Sequence, residues 1–332
     1  MTNLKFISAV MLAAFSALTV AAPVESTEKR AISSIVKGTP IGMASAVTGG
    51  GSAAVVYPTT IAQLKAYLTS DEPQNIVISG TFNFIGSEGT TSLTACDSYS
   101  CTPSNGGQAL LNTLGGCGST PTYGVSIDTA SYQGINVKSQ KTLTSSLGRQ
   151  HYSFGTGSNN AVTISNSFIN GKTANSATCD GHSYWGLELV GSGDQITFYK
   201  NYVYNTSGRT PALSGNTLFH AVNNVWSSNS GHLLEGDKNG MGLYEGNYFT
   251  SVPTVVQPGS SIRLFTSNAA DVSKCATYLG RNCVSNSLSS SGAFSYSDTS
   301  FLYLFQGKNN IVSAAAVSSI QNTVPTSAGN TL

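Results

Sequence analysis

The fold is decided by a pattern that occurs three times in the middle of the chain: Asn201-Tyr202-Val203, Asn224-Val225-Trp226 and Asn247-Tyr248-Phe249. Successive asparagines are 23 residues apart, and each follows a short β-prone run. A period in the low twenties without a helical pattern indicates a solenoid. Because the strands are short, the turns are polar and the leucine spacing of a leucine-rich repeat is missing, the pattern predicts an all-β parallel β-helix.

The repeated asparagines have a predicted structural role. Stacked coils place each asparagine above the next, where side-chain amides can bond along the solenoid axis, so we expect a ladder rather than a ligand site. Ser167 occupies the same place before Asn201, and eleven additional residues between them fall in the loop that carries Cys179. Trp226 lies in a repeat strand and is expected in the core.

Both ends of a solenoid need caps, because a terminal coil has a neighbour on one side only. Residues 60–63 have the pattern of a capping box and predict a short helix over residues 60–69 that covers the N-terminal end. Residues 75–84 alternate and predict a strand. The alanine-rich tail over residues 308–319 is weakly helical and is expected to lie along the outside. We predict one domain, residues 31–332, without an interdomain linker.

The first residues predict export. Lys5 is followed by an apolar run over residues 6–20 and by two alanines, which is the pattern of a secretory signal peptide. We assign residues 1–22 to this signal and residues 23–30, which end in a dibasic pair, to a propeptide. A membrane anchor is the alternative, but polar residues interrupt the run, which is shorter than the roughly 20 apolar residues of a span. We therefore expect a secreted, extracellular protein.

The composition restricts the partners. Charged residues make up 9% of the chain, against about 25% in an average domain. Without residues 1–30, thirteen acidic and thirteen basic residues remain. A net charge near zero argues against nucleic acid or an anionic membrane as a partner. The hydrophobic fraction of 40% excludes a disordered chain, and we expect a monomer.

Several catalytic patterns are absent from the sequence. It has no GxSxG nucleophile elbow, no Walker loop and no GxGxxG dinucleotide motif. The carboxylate pair of a hydrolytic glycosidase is not evident, because the aspartates are few and scattered. No CxxC motif or paired histidine spacing supports zinc. We therefore expect no metal and no cofactor.

Arginine and aromatic residues occur instead in tight polar turns. Leu147-Gly148-Arg149-Gln150-His151-Tyr152 precedes the repeats, and residues 177–186 include Cys179-Asp180-Gly181-His182-Ser183-Tyr184-Trp185. Residues 206–211 contain Gly208-Arg209, and residues 275–283 are bounded by two cysteines. Together with residues 216–224, these segments resemble fungal pectin lyases of the polysaccharide lyase class. The resemblance runs from about residue 45 to the C-terminus.

This resemblance implies a right-handed parallel β-helix and a β-elimination reaction. A base removes the proton α to the carboxyl carbonyl of a galacturonate unit, and the 4-linked oxygen leaves. A methyl ester makes that proton more acidic, so methylated pectin can be cut without a metal. Pectate lyases, which act on the free acid, use calcium held by carboxylates, and the scarcity of Asp and Glu here favours the calcium-independent type with pectin as its partner.

The resemblance also assigns candidate residues. Arg209 lies at the position of the family's catalytic base, and Arg149 matches a second arginine near the cleft. Tyr184 and Trp185 match the aromatic cleft, with His182 as a weaker substrate-binding candidate. The pKa of arginine is normally above 12, so Arg209 acts as a base only if burial and nearby cations lower it. Otherwise Arg209 stabilises the enolate.

Six cysteines in an exported chain predict three disulfides, for which sequence alone allows fifteen pairings. The resemblance implies the pair Cys275–Cys283. We predict Cys96–Cys117 and Cys101–Cys179 alongside it.

The resemblance is interrupted after Leu143. In the family, coils with a WGGDAI-like segment, which contains an active-site aspartate, and a WIDH-like strand precede the segment that begins here at Leu147. These coils are missing between Leu143 and Arg149, and by the chain's own period two to three coils are absent. Three interpretations stay open: a shortened β-helix that still closes, a lyase-like protein without activity, and the product of a mis-spliced or mis-predicted transcript.

The function predicted from the sequence is a secreted, calcium-independent pectin lyase, and whether the missing coils impair its activity stays open. The alternatives are a non-catalytic, carbohydrate-binding β-helix protein and a calcium-dependent pectate lyase.

Overall fold

The structure is a computed structural model that describes residues 41–138, 141–144, 152–155 and 157–329. The predicted signal peptide and propeptide therefore lie outside the described residues, and so does Arg149.

The described residues form many short strands and few helices. The strands are β1 Val55–Val56, β2 Gln74–Val77, β3 Thr90–Cys96, β4 Leu110–Leu111, β5 Tyr123–Asp128, β6 Lys141–Thr144, β7 Tyr152–Phe154, β8 Ala161–Ser165, β9 Phe168–Asn170, β10 Leu187–Leu189, β11 Gln195–Tyr199, β12 Tyr202–Tyr204, β13 Ala212–Leu213, β14 Leu218–Val222, β15 Val225–Ser227, β16 His232–Gly236, β17 Met241–Glu245, β18 Tyr248–Thr250, β19 Thr254–Val256, β20 Arg263–Thr266 and β21 Ser287–Ser289. The α-helices are α1 Ile61–Thr69, α2 Thr129–Tyr132, α3 Ala276–Leu279 and α4 Val324–Ser327. Short 3₁₀ turns cover Gly42–Ala44, Pro103–Asn105, Thr113–Gly115, Val272–Cys275, Leu302–Phe305 and Val317–Ser319.

Fifteen of these strands, β7 to β21, form three five-stranded sheets in which the chain winds as a solenoid. The orders are β19-β16-β13-β10-β7, β20-β17-β14-β11-β8 and β21-β18-β15-β12-β9. All neighbouring strands in these sheets are parallel, and each coil contributes one strand to each sheet. In the third sheet Val203 pairs with Trp226, and Trp226 pairs with Phe249. The predicted right-handed parallel β-helix is confirmed.

Aromatic side chains stack inside the coils because the same inward position recurs in each one. Phe198, Phe219, Trp226, Tyr244 and Phe249 are fully buried. The rings of Trp226 and Phe249 stack with centroids 4.9 Å apart and an interplanar angle of 3°. Trp226 is therefore in the core, as the repeat pattern predicts.

The predicted asparagine ladder is present along one corner of the coils. The side-chain amide of Asn201 donates to Oδ1 of Asn224 at 3.1 Å, and that of Asn224 donates to Oδ1 of Asn247 at 3.0 Å. The ladder starts at the backbone N–H of Ser167, which donates to Asn201, and it continues to Asn286. Sequence spacing did not reveal Asn286, because the loop that contains the third disulfide lengthens that step to 39 residues.

We expect Asn224→Ala to lower the free energy of unfolding by about 3 kcal/mol, because it leaves several buried partners without hydrogen bonds. The Asn224 side chain accepts from the N–H of Asn201 at 2.8 Å and donates to the carbonyl of Phe198 at 2.7 Å. Chemical denaturation measures the loss. Asn310 is exposed, so Asn310→Ala is the matched control. Equal stability of the two variants would contradict a contribution of the asparagine ladder to stability.

The N-terminal part does not continue the three long sheets. Strands β1, β2 and β6 form a separate three-stranded parallel sheet, and β3, β4 and β5 form an antiparallel one. Helix α1 packs Leu64 and Leu68 against Ile76 of the first sheet. The sheets change between β6 and β7, which is the place where the sequence predicts missing coils.

The predicted capping helix is confirmed at residues 61–69. The hydroxyl of Thr60 accepts from the N–H of Gln63 at 3.2 Å. The Gln63 side chain accepts in return from the N–H of Thr59 at 2.9 Å, one residue before the predicted partner. The capping box thus sets the start of α1.

Two predictions of secondary structure are wrong. The strand predicted over residues 75–84 ends at Val77, because its partner strands β1 and β6 are only two and four residues long. The tail over residues 308–319 is not an α-helix; it contains a single 3₁₀ turn, at Val317–Ser319. Its extended backbone at Ala315 exchanges two hydrogen bonds with the Asn223 side chain, of 2.7 and 2.8 Å, which holds the tail on the outside as expected.

All three predicted disulfides are present. Cys96–Cys117, Cys101–Cys179 and Cys275–Cys283 join residues whose Cα atoms are 6.0, 5.2 and 5.5 Å apart. Cys101–Cys179 ties the N-terminal part to a loop of the solenoid, across 78 residues of sequence.

The third disulfide loop carries Arg281, which neutralises a buried carboxylate. Glu245 is fully buried and receives two hydrogen bonds from Arg281, of 2.7 and 2.9 Å. The Nε2 atom of His220, also fully buried, lies 2.8 Å from Oε1 of Glu245. Burial raises the pKa of Glu245, but the hydrogen bonds from Arg281 and His220 outweigh burial and hold that pKa below its ordinary value.

Acid is expected to destabilise the fold through Glu245. Because its pKa is lower in the folded state, its contribution is complete above its pKa in the unfolded chain, about 4.3, and is lost as the pH falls through the folded value. Glu245→Gln should be less stable than the unsubstituted protein at neutral pH by about 3 kcal/mol. Below pH ~4.3, the free energy of unfolding of this variant should fall less steeply with pH than that of the unsubstituted protein. Thermal denaturation of both proteins across this pH range measures how stability depends on pH. Parallel curves for the two proteins would refute the role of Glu245 in acid destabilisation.

Candidate active site

Arg209 lies on the turn between β12 and β13, at the outer face of the sheet that contains β7, β10, β13, β16 and β19. Its backbone is left-handed, with φ of 50°, and the Thr210–Pro211 peptide bond after it is cis. The Arg209 carbonyl accepts from the N–H groups of Gly186 at 3.2 Å and Leu187 at 2.7 Å. These bonds fix the turn against the preceding coil, so that the Arg209 side chain lies near the outward residues of β10 and β16.

Two carboxylates from neighbouring coils flank the guanidinium of Arg209. Its Nη1 donates to Oε1 of Glu188 at 2.9 Å, and its Nε lies 2.8 Å from Oε1 of Glu235. Glu188 and Glu235 are both in register with Ala212, one from each side. The parallel stacking of three coils therefore brings together groups that are 47 residues apart in sequence.

Glu235 is itself held by two more side chains. Its Oε2 lies 2.7 Å from Nε2 of His232 and accepts from the hydroxyl of Tyr184 at 3.3 Å. The ring of Tyr184 lies 5.8 Å from the guanidinium carbon of Arg209. Arg209 is thus oriented by a connected network rather than by a single ion pair.

This network changes the proton affinities of its members. Burial lowers the pKa of Arg209, but the hydrogen bond to Glu188 and the charges of Glu235 and Glu188 outweigh it, so the pKa is raised. Burial raises the pKa of Glu235, but the hydrogen bond with His232 and the charge of Arg209 lower it overall. Burial and the charge of Glu235 raise the pKa of Tyr184. Among the described residues, the condition for Arg209 to act as a base is not met.

The predicted aromatic pair lies beside Arg209. The rings of Tyr184 and Trp185 meet edge to face with centroids 5.3 Å apart. The ring of Tyr99 contacts Trp185 at 5.4 Å. Sequence reasoning missed Tyr99, which comes from the N-terminal part and is placed near the loop by the disulfide between Cys101 and Cys179.

His182 lies in the loop before Tyr184, and its contacts are local. Its Nδ1 is 2.8 Å from the carbonyl oxygen of Asp180. Burial raises the pKa of Asp180, but its carboxylate accepts from the hydroxyls of Ser230, Thr178 (2.6 Å) and Ser176 (2.9 Å), and these bonds lower that pKa overall. These bonds order the loop, and the substrate-binding role of His182 stays a prediction.

A shallow cleft of about 240 Å³ opens at this network. Its polar lining comprises Glu188, Arg209, Ser214, Glu235 and Asp237. Sequence reasoning missed Glu188, Glu235 and His232, although Glu188 and Glu235 are outward positions separated by about two periods.

In the parts of the chain that the structure describes, no group of three or more His, Cys, Asp or Glu side chains is arranged to hold a metal ion. No helix among those residues is both long and apolar enough to cross a membrane.

The fold and this cleft define a parallel β-helix protein with an arginine-centred cleft on its outer face, and Tyr184 packs against that arginine. No family model matches the chain. "Probable pectin lyase E" of Aspergillus niger is 58% identical over 357 aligned positions that cover 90% of this chain and 96% of that protein. "Pectin lyase B" of Emericella nidulans is 39% identical over 89% of this chain and 93% of that protein. The chain belongs to the fungal pectin lyase family.

The alignment with "Probable pectin lyase E" is longer than the part of this chain that it covers. Because 90% of the chain's 332 residues is about 299, roughly 58 of the 357 positions aligned with "Probable pectin lyase E" contain no residue of this chain. At 23 residues per coil, this length corresponds to two to three coils, the number that the sequence predicts to be missing.

We expect Glu235→Ala to release the Arg209 side chain, because it removes the carboxylate that Nε faces. The Nε–H resonance of Arg209, assigned with Arg209→Lys, should shift because the negative charge 2.8 Å from Nε is removed. The corresponding resonance of Arg263, whose Nε lies 3.3 Å from Asp298, is the internal control. An unchanged Arg209 resonance would contradict a positioning role for Glu235.

Proposed function

We propose that this chain is a secreted, calcium-independent pectin lyase that cleaves methyl-esterified galacturonan by β-elimination. The observation that carries the proposal is the guanidinium of Arg209, which lines an open cleft and is held by Glu188, Glu235 and the ring of Tyr184. Three disulfides support an extracellular location. The near-neutral charge is consistent with a neutral, esterified polymer as the partner, rather than nucleic acid or membrane, and with a monomer.

In this reaction Arg209 acts mainly as a cation. A base takes up the proton α to the carboxyl carbonyl, and the electron pair left behind places negative charge on the carbonyl oxygen. The pair then forms the C4–C5 double bond as the bond from C4 to the 4-linked oxygen breaks, and that oxygen takes a proton from solvent. A preorganised donor at that oxygen stabilises the transition state, typically by a factor of 10²–10³ in kcat. The raised pKa of Arg209 keeps its proton in place for this task. Arg149 remains the second proposed catalytic residue.

The aromatic rings supply the substrate contact in this proposal. Flat faces of Tyr184 and Trp185 suit the uncharged face of a sugar ring, and Tyr99 extends the same edge. Tyr184 also holds Glu235, so one side chain links sugar binding to the position of Arg209. Calcium is less compatible with this cleft, because Arg209 already pairs with two of its carboxylates.

The second candidate function is a non-catalytic carbohydrate-binding protein, although the relatives themselves are named pectin lyases. About 58 positions of the relative are absent here. The family resemblance places an active-site aspartate in the coils that are missing. Loss of these coils reduces the groups that face Arg209, while the aromatic edge stays in place.

Highly methylated pectin, incubated with the purified protein and a calcium chelator, separates these functions. A lyase produces unsaturated sugar ends, which are followed by ultraviolet absorbance. Arg209→Ala should lower kcat by about 100-fold or more, while Arg263→Ala, a matched loss of an ion-paired arginine outside the cleft, should have little effect. Thermal denaturation shows whether each variant is folded.

Three other results would change the proposal. Retained pectin binding without product would favour the carbohydrate-binding function. A requirement for calcium would favour a pectate lyase. Full activity of a folded Arg209→Ala variant would refute the role of Arg209.

A further inference from the structure

We infer that Glu188 is a specificity-determining residue whose charge excludes free galacturonate from the cleft and so selects esterified units. The inference rests on the proposed function for its substrate class, but it concerns binding as well as turnover. The cleft presents a conflict, because a partly exposed guanidinium attracts any carboxylate, whereas a pectin lyase must favour the uncharged ester.

The charges that line the cleft resolve this conflict. Glu188, Glu235 and Asp237 supply three carboxylates, against the single guanidinium of Arg209. Lys238 follows Asp237 in sequence but is not among the residues that line the cleft. The cleft therefore carries excess negative charge although it contains the arginine that the reaction needs.

Glu188 is the carboxylate best placed to act on the substrate. The carbonyl oxygen of the reacting unit must approach the guanidinium of Arg209, and Oε1 of Glu188 is 2.9 Å from Nη1 of that group. A free carboxylate at the same place would lie within a few ångströms of a like charge. At a protein surface such repulsion is large enough to reduce affinity by about tenfold, whereas a methyl ester carries no charge and avoids it.

Glu188 also differs from Glu235 in its contacts. Glu235 contacts His232 and Tyr184 besides Arg209, so its substitution disturbs several side chains. In the described part of the chain, Arg209 is the only side chain that bonds to the Glu188 carboxylate. The Glu188 side chain is 20% exposed and can meet a ligand. Glu188→Gln therefore removes the charge while keeping the size and one acceptor oxygen.

The test compares two polymers, unesterified polygalacturonate and highly methylated pectin, in affinity electrophoresis without calcium. Glu188→Gln should bind polygalacturonate about tenfold more tightly than the unsubstituted protein, whereas its affinity for pectin should change much less, because esterified units carry no charge. The gain should shrink at high salt, since screening weakens exposed charges. Glu72→Gln, an exposed residue of the N-terminal part, is the matched control because it changes the net charge equally.

Asp237→Asn is a second variant that acts without touching Arg209. The Asp237 side chain accepts from the N–H of Asn239 at 2.8 Å within its own turn. We expect a smaller shift in the same direction, because Asp237 also lines the cleft. Agreement between the two variants would identify charge, rather than a local rearrangement of Arg209, as the cause.

The outcomes separate this inference from the proposed function. Equal polygalacturonate affinity in the unsubstituted protein and Glu188→Gln overturns the inference, even if pectin is cleaved. Discrimination that Glu188→Gln abolishes, in a protein that forms no unsaturated product, supports the inference and refutes the lyase. Binding of neither polymer overturns both. Where product forms, the ratio of kcat/KM for the two polymers should shift by the same factor.

Discussion

The buried asparagine ladder is the interaction on which the rest of the solenoid depends. Asn201, Asn224 and Asn247 are fully buried, and each one bonds to the backbone of one coil and to the side chain of the next. A one-residue slip between coils would leave these amides without partners in the interior, at a cost of several kcal/mol. The ladder therefore fixes the register of the coils, and that register brings Glu188 and Glu235 to the two sides of Arg209.

A second constraint follows from the charge of Arg209. A guanidinium that is half-buried on the face of a sheet needs acceptors, and the flanking coils supply two carboxylates. The same carboxylates raise its pKa, which disfavours proton abstraction and favours stabilisation of an anion. His232 and Tyr184 also contact Glu235, so the field at Arg209 depends on four side chains from the two coils that flank it.

Much of this architecture follows from the sequence, because the repeat is local and regular. The spacing of Asn201, Asn224 and Asn247 predicts both the coils and the ladder. Asn286 was missed because an insertion that contains a disulfide separates it from Asn247 by 39 residues instead of 23. Glu188 was missed for a different reason: an outward glutamate in a short strand looks like ordinary solvent-exposed surface until the register places it beside Arg209. The tail was mistaken for a helix because alanine favours helices locally, whereas Asn223 holds Ala315 in an extended conformation.

The quasi-one-dimensional fold also limits what the missing coils can remove. Each coil of a solenoid contacts only its neighbours, and the polar contacts described for Arg209 come from Glu188 and Glu235, both after the interruption. Tyr184, which orients Glu235, also follows it. The Arg209 side of the cleft can therefore form without the absent coils. Whatever the absent coils would place opposite Arg209 cannot be supplied from within the coils that remain, because each of these contacts only its own neighbours.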